Sequence, residues 1–217
     1  MTQDEQKRRV AQAALAHVFE HQILGIGTGS TVNYFIDTLA ASRIPIEACV
    51  ASSKASFERL KAHKLPVLPL TSVPHIDIYF DGADECDDYK RLLKGGGGAL
   101  TGEKIVAASS LQFICLIDES KRVARLGQFP VVIEVIPMAR SLVGRQVALL
   151  GGNPVFRENT VTDYGNHLLD VYQLDLSDLM ALDTLLNNIP GVVSHGIFAR
   201  QPADLVLLMT ARGLETF

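Results

Sequence analysis

The sequence predicts an α/β chain: a Rossmann-like, mostly parallel sheet domain with a smaller ferredoxin-like α+β lobe. Three observations lead there. Up to about residue 127, short and nearly all-apolar runs alternate with helical segments, the pattern of parallel strands covered on both faces. From residue 128 the order becomes β-α-β-β-α-β, the split ferredoxin-like pattern. A last apolar run at 204–209 is placed to return as a strand to the first domain. The expected domains are therefore 1–127 plus 204–217, and 128–203.

Each element rests on a local signal. Within 4–21, Val10, Ala14, Leu15, Val18 and Phe19 recur at helical spacing. Residues 23–26 are a short apolar run entering a glycine-rich turn, which predicts a strand, and 31–40 then reads as a helix. A second strand is expected at 46–50, a helix at 56–63 and an extended segment at 66–70. Residues 76–80 form a strong strand ending in Asp81-Gly82. A helix at 101–110 precedes a buried strand at 113–117. In the lobe, 131–136 predicts a strand containing Glu134, 138–150 a helix, and 155–157 and 167–172 two strands. Residues 177–188 predict a helix capped by Ser177 and stopped by Pro190-Gly191, and 192–198 a final strand.

Composition narrows the function. The 217 residues include 20 Lys plus Arg and 24 Asp plus Glu, a net charge of −4. There is no basic surplus to attract nucleic acid or an anionic membrane, so any bound anion needs a local site. The three cysteines, Cys49, Cys86 and Cys115, have no paired spacing, which predicts a reducing compartment. Apolar runs such as 113–117 are too short to cross a bilayer, and the N-terminus does not read as a signal peptide. The expected location is cytoplasmic.

Three segments can carry chemistry. Gly25-Ile26-Gly27-Thr28-Gly29-Ser30-Thr31 follows a strand and opens a helix. Its glycines let backbone N–H groups approach an anion, and the helix start adds a favourable dipole. Ser30 stands where a dinucleotide fingerprint needs its third glycine, and no P-loop lysine is present. Taken alone, the loop is equally a phosphate cradle and a tight capped turn.

Asp81-Gly82-Ala83-Asp84-Glu85 lies at the carboxyl end of a strand, where open α/β sheets bind ligands. Its carboxylates could receive sugar hydroxyls or shuttle a proton; by itself it reads more simply as a solvated acidic turn. Asp87 and Asp88 follow, but the spacing fits no calcium loop and no histidine is near, so no metal is expected. The third segment is Lys94-Gly95-Gly96-Gly97-Gly98, continuing to Glu103. Four glycines in a row carry a backbone entropy cost between two apolar elements, yet they let the chain wrap a ligand beside the Lys94 charge. Glu103 falls in the first turn of the next helix, where an isolated Glu is ordinarily a dipole partner. Ser52-Ser53-Lys54 and Lys121 follow strand ends at the same expected sheet edge. His17 and His21 are one helical turn apart but lack further ligands for a metal.

The combination is more specific than its parts. GIGTGST, SSKAS, DGADE, KGGGGALTGEK and DESK, in this order and at these separations, resemble the ribose-5-phosphate isomerase A family. So do FPVVIEVIPMAR, LGGNPVFRENTVTDYGN, LLDV and NNIPGVVSHGIFA in the lobe, so the resemblance covers nearly the whole chain. It implies a homodimeric, cofactor-free enzyme acting on a small sugar phosphate. By the resemblance, Glu103 is the base that moves a proton from C2 to C1 through a cis-enediolate, and Lys94 stabilises the oxyanion. Asp81 and Asp84 position hydroxyls and help open the ring. Thr28, Gly29, Ser30 and Thr31 hold the substrate, with Gly82, Ala83, Gly95, Gly96, Gly97 and Lys121 completing the binding set. Three positions depart from the family's usual pattern: Tyr164 replaces Asn, Lys54 replaces a short acidic or polar residue, and Gly98 replaces Ala. Two other readings of this fold remain, a non-catalytic sugar-phosphate sensor and a coenzyme A transferase using a nucleophilic Glu.

Overall fold

A capping box starts the first helix: the Thr2 hydroxyl accepts from the Glu5 N–H and the Glu5 carboxylate accepts from the Thr2 N–H. The computed structural model describes all residues, Met1–Phe217. In chain order the elements are α1 (Gln3–Ala14), β1 (Ile23–Ile26), α2 (Ser30–Ser42), β2 (Ala48–Ala51), α3 (Lys54–Ala62) and β3 (Ile76–Asp81). Next come β4 (Glu85–Cys86), β5 (Leu92–Leu93), α4 (Leu100–Ala108), β6 (Ser110–Asp118) and β7 (Val131–Val135). The chain continues through α5 (Arg140–Leu149), β8 (Asn153–Phe156), β9 (His167–Tyr172), α6 (Leu179–Asn187), β10 (Val192–His195) and β11 (Ile197–Phe198). It ends with β12 (Leu205–Thr210) and β13 (Gly213–Thr216).

Two compact units result. Met1–Ala83, Gly102–Arg122 and Ala203–Phe217 form the first. Its six-stranded sheet has the order β13-β12-β6-β3-β1-β2, parallel except for the β12–β13 hairpin. Strands β1, β3 and β6 are apolar because helices and loops bury them; Leu24, Ile26, Phe80, Ile114 and Leu207 pack with Val10 and Ala14 of α1 and Phe35 and Ile36 of α2. The carboxyl ends of β1, β2, β3 and β6 share one edge of this sheet, so residues 27–31, 52–53, 81–83 and 119–121 emerge there.

Asp84–Thr101 and Val123–Pro202 form the second unit. Strands β7, β8, β9 and β10 with α5 and α6 follow β-α-β-β-α-β, and the antiparallel sheet has the order β10-β7-β9-β8. This is a ferredoxin-like arrangement. Val131, Ile133, Val135, Leu169 and Val171 face Val143, Val147, Leu182 and Leu186 of the helices.

The division differs from that expected at 84–101 and 123–127. The reason is pairing invisible to local pattern: β4 pairs with β5, β5 pairs with β11, and the Gly127 and Phe129 N–H groups donate to the buried Glu85 carboxylate. Other boundaries also move. Segment 66–70 makes a single parallel bridge, Val67 to Cys49, before a 3-10 turn at Leu70–Ser72. The cap of α6 is Asp178, which accepts from the Ala181 N–H, whereas the Ser177 N–H is turned back to Asp175. The strand expected at 192–198 breaks at Gly196, so that β10 and β11 join different sheets.

Candidate functional site

In the first unit, the turn from β1 into α2 is organised by one buried carboxylate. Asp81, fully buried at the end of β3, accepts from the Thr28 N–H at 3.0 Å and the Gly82 N–H at 2.7 Å on Oδ1. Its Oδ2 accepts from the Tyr79 hydroxyl. Gly27 has to be glycine, since a Cβ there would lie 2.0 Å from the Asp81 carboxyl. Gly29, at φ +99°, turns the chain into α2. Ser30 and Thr31 open that helix at the surface, where its first-turn N–H groups and dipole suit an anion.

The neighbouring strand end supports this loop. The Thr28 and Ser53 hydroxyls lie 2.8 Å apart, Ser53 caps α3 through the Ser56 N–H, and the Ser56 hydroxyl donates to the Gly27 carbonyl. Lys121 is half-buried in a 3-10 turn after β6, whose start is capped by Asp118. Glu103 is 3 % exposed in the first turn of α4. The Tyr79 phenol is pushed well above its ordinary pKa, first by burial and then by the negative charges of Asp81 and Glu103. The structure thus brings Thr28, Asp81 and Gly82 into one hydrogen-bonded group, with Glu103 electrostatically coupled to it through Tyr79.

In the second unit, Asp84, Lys94 and the glycine run form another group. The Asp84 N–H donates to the Leu93 carbonyl and its carboxylate accepts from the Gly96 N–H at 2.8 Å. Lys94 is 3 % exposed; its N–H donates to the Gly196 carbonyl, and its Nζ stands 5.7 Å from the Phe198 ring centre. An ammonium above an aromatic face is held in place by the ring quadrupole. Gly95, at φ +120°, leaves no room for a Cβ, which would meet Val132 at 2.7 Å. Gly96 and Gly97 are exposed, and the Gly96 N–H is committed to Asp84.

Two residues that motif reading passed over also shape this group. Arg157 donates to the Gly95 and Gly96 carbonyls at 3.0 and 3.3 Å while it is paired with Asp170. Glu134 in β7 accepts from Thr101, Thr162 and Asn166. Both lie in segments whose resemblance to the family was plain, but neither carries a local chemical signature. No group of three His, Cys, Asp or Glu side chains is arranged to hold a metal ion.

Chemically, the first unit offers an anion-accepting loop and a buried carboxylate at a helix start. The second offers a buried ammonium beside an exposed, glycine-built backbone. A comparison with protein families matches residues 48–213 to ribose 5-phosphate isomerase A (phosphoriboisomerase A). Among curated relatives, ribose-5-phosphate isomerase A of Legionella pneumophila (strain Corby) is 56 % identical over 211 residues, covering 97 % of this chain and 98 % of the relative. Among solved structures, ribose 5 phosphate isomerase A from Neisseria gonorrhoeae superposes with a TM-score of 0.98 at 44 % identity, covering 100 % of this chain and 97 % of that one. A D-ribose-5-phosphate isomerase in complex with phospho-erythronic acid superposes with a TM-score of 0.95 at 35 % identity, covering 100 % and 99 %. These similarities favour neither the sensor nor the coenzyme A transferase.

Proposed function

Because the chain belongs to the ribose 5-phosphate isomerase A family, we propose that it interconverts D-ribose 5-phosphate and D-ribulose 5-phosphate by proton transfer through a cis-enediolate. The observation that carries this reading is the burial of two opposite ionisable groups, Glu103 and Lys94, each only 3 % exposed. Burying an ionisable group is costly, so a pair kept buried at a helix start and beside a glycine run is a candidate functional site.

In this reading Glu103 removes the proton from C2 of the open-chain aldose and returns it to C1. The negative charge that develops on the substrate oxygen meets the Lys94 ammonium, which lies over the Phe198 ring. The phosphate is taken by Thr28, Gly29, Ser30 and Thr31, with Lys121 as a further positive charge. Asp81 holds the loop that carries Thr28. Asp84 anchors the Gly96 backbone, and Gly95, Gly96 and Gly97, like Gly82 and Ala83, belong to the proposed sugar-binding set. Enediolate chemistry needs a base, an oxyanion stabiliser and an anchor, and no redox cofactor. No helix is long and apolar enough to cross a membrane; the reading places the enzyme in the cytoplasm as a homodimer.

The test is ribose 5-phosphate in deuterated water with EDTA present, followed by NMR. The reading expects ribulose 5-phosphate to appear with solvent deuterium at the transferred position in part of the product. Binding without any isomer formed would remove it. Phospho-erythronic acid, whose planar carboxylate imitates an enediolate, is expected to compete with substrate.

A further inference from the structure

Glu134 is an acidic side chain with 0 % exposure in the middle of β7, between Ile133 and Val135 of the lobe core. A carboxylate in such a place needs hydrogen-bond donors. Thr162 Oγ1 and Asn166 Nδ2 donate to its Oε1 at 2.7 and 2.8 Å, and the Thr101 hydroxyl donates to its Oε2. The loop supplying the first two is itself fixed. The Thr162 N–H donates to the Asn166 carbonyl at 2.9 Å, the Asn166 N–H donates to the Thr162 hydroxyl at 3.1 Å, and Gly165 makes the turn at φ +80°.

Thr101 is the second residue of α4, and Glu103 stands two residues later in the same first turn. Gly102 separates them, a poor helix former that adds no side-chain contact to steady the turn. Thr101 lies inside the first turn, and its hydroxyl reaches outward to strand β7. We infer that Glu134, acting through Thr101, is a positioning residue that fixes the first turn of α4 and so the direction in which the Glu103 carboxylate leaves it. The inference rests on the reading of Glu103 as the base. A base displaced by about 1 Å can lose on the order of 10²-fold in rate, so a rigid tie two residues away bears directly on turnover.

Thr101→Val keeps the shape and removes the donor. It is expected to lower kcat by about tenfold or more while KM changes less than about twofold, and Thr101→Ser is expected to restore the rate. The decisive measurement repeats Thr101→Val in a Glu103→Gln background. Positioning through Glu103 predicts no further loss there, because no base remains to misplace. Unchanged kcat in Thr101→Val, or an undiminished loss in the double variant, overturns the inference. If Glu103→Gln alone turns over like wild type, it is the assignment of the base that fails, whatever Thr101 does. Should Thr101→Val not fold, Thr162→Val removes a donor from the opposite oxygen and carries the same comparison.

Discussion

The hydroxyl of Tyr79 and the carboxylate of Asp81, side by side on β3, form a buried hydrogen bond that fixes the turn between β1 and α2. Asp81 has its other oxygen committed to the Thr28 and Gly82 N–H groups. Tyr79→Phe removes one of the donors to a carboxylate that stays buried. The expected cost is about 1–3 kcal/mol of stability, read from urea unfolding, with a raised KM for ribose 5-phosphate as the loop loosens. A variant matching wild type in both would show that the backbone donors suffice.

Glu103→Gln is expected to keep the fold and substrate binding and to lower kcat by about 10²–10⁴-fold, the usual loss for a general base. Lys94→Ala is expected to weaken both binding and rate, because in the proposed mechanism the ammonium meets substrate and transition state alike. If both groups act in one transition state, the double variant loses far less than the product of the single losses. Multiplicative losses would assign them to separate steps. Steady-state kinetics on purified variants measures all three.

Two glycine substitutions separate crowding from backbone strain. At Gly196 a Cβ would lie 2.0 Å from the Lys94 carbonyl, so Gly196→Ala must displace the backbone of Lys94. Overpacking of this kind costs about 1–3 kcal/mol, and here turnover falls with it. At Gly29 a Cβ meets nothing within 4 Å, but φ is +99°. Gly29→Ala is expected to cost about 1–3 kcal/mol through the positive-φ backbone alone. Thermal unfolding of both variants, with the melting shift of each compared with its change in kcat, checks the contrast.

Burial pushes the Cys49 thiol from 9.0 up to about 12, and the Tyr79 phenol moves in the same direction. In each case the folded chain holds its proton more tightly than the unfolded chain. Stability is therefore fully present below the unfolded pKa and is lost as pH rises towards the folded value. The window for Cys49 runs from 9.0 to about 12. Each such group removes up to roughly 1.4 kcal/mol per pH unit across its window. Urea midpoints are expected to hold steady near neutrality and fall steeply in alkali, and Cys49→Ala should flatten part of that fall. A midpoint independent of pH in that range contradicts it.

How far the chain could be read in advance depended on the range of the forces involved. The parallel sheet and the β-α-β-β-α-β lobe follow from local periodicity, and residues 204–209 return to the first domain as a strand, as expected; that their partner is β6 was not legible. The Gly27 turn was legible because three glycines before a helix have few other uses. What Asp81 accepts was not legible, since Thr28 is 53 residues away in sequence. Arg157 reaches the Gly95 carbonyl from 62 residues away, and Thr101 meets Glu134 across 33. Short strands such as β4, β5 and β11 have no period of their own; they exist because distant backbone edges satisfy one another. Ser177 lost the α6 cap to Asp178 because two adjacent residues can each cap and only loop geometry chooses between them.

The insertion of the second unit's long segment between β6 and β12 has a bearing on synthesis. While the ribosome is still making Val123–Pro202, the outer edge of β6 has its full row of backbone donors and acceptors but no neighbour, because β12 has yet to be translated. Nascent chains in that interval present a long apolar edge of the kind that recruits other strands. The last fifteen or so residues, by docking β12 and β13, act as the seal that ends this exposure.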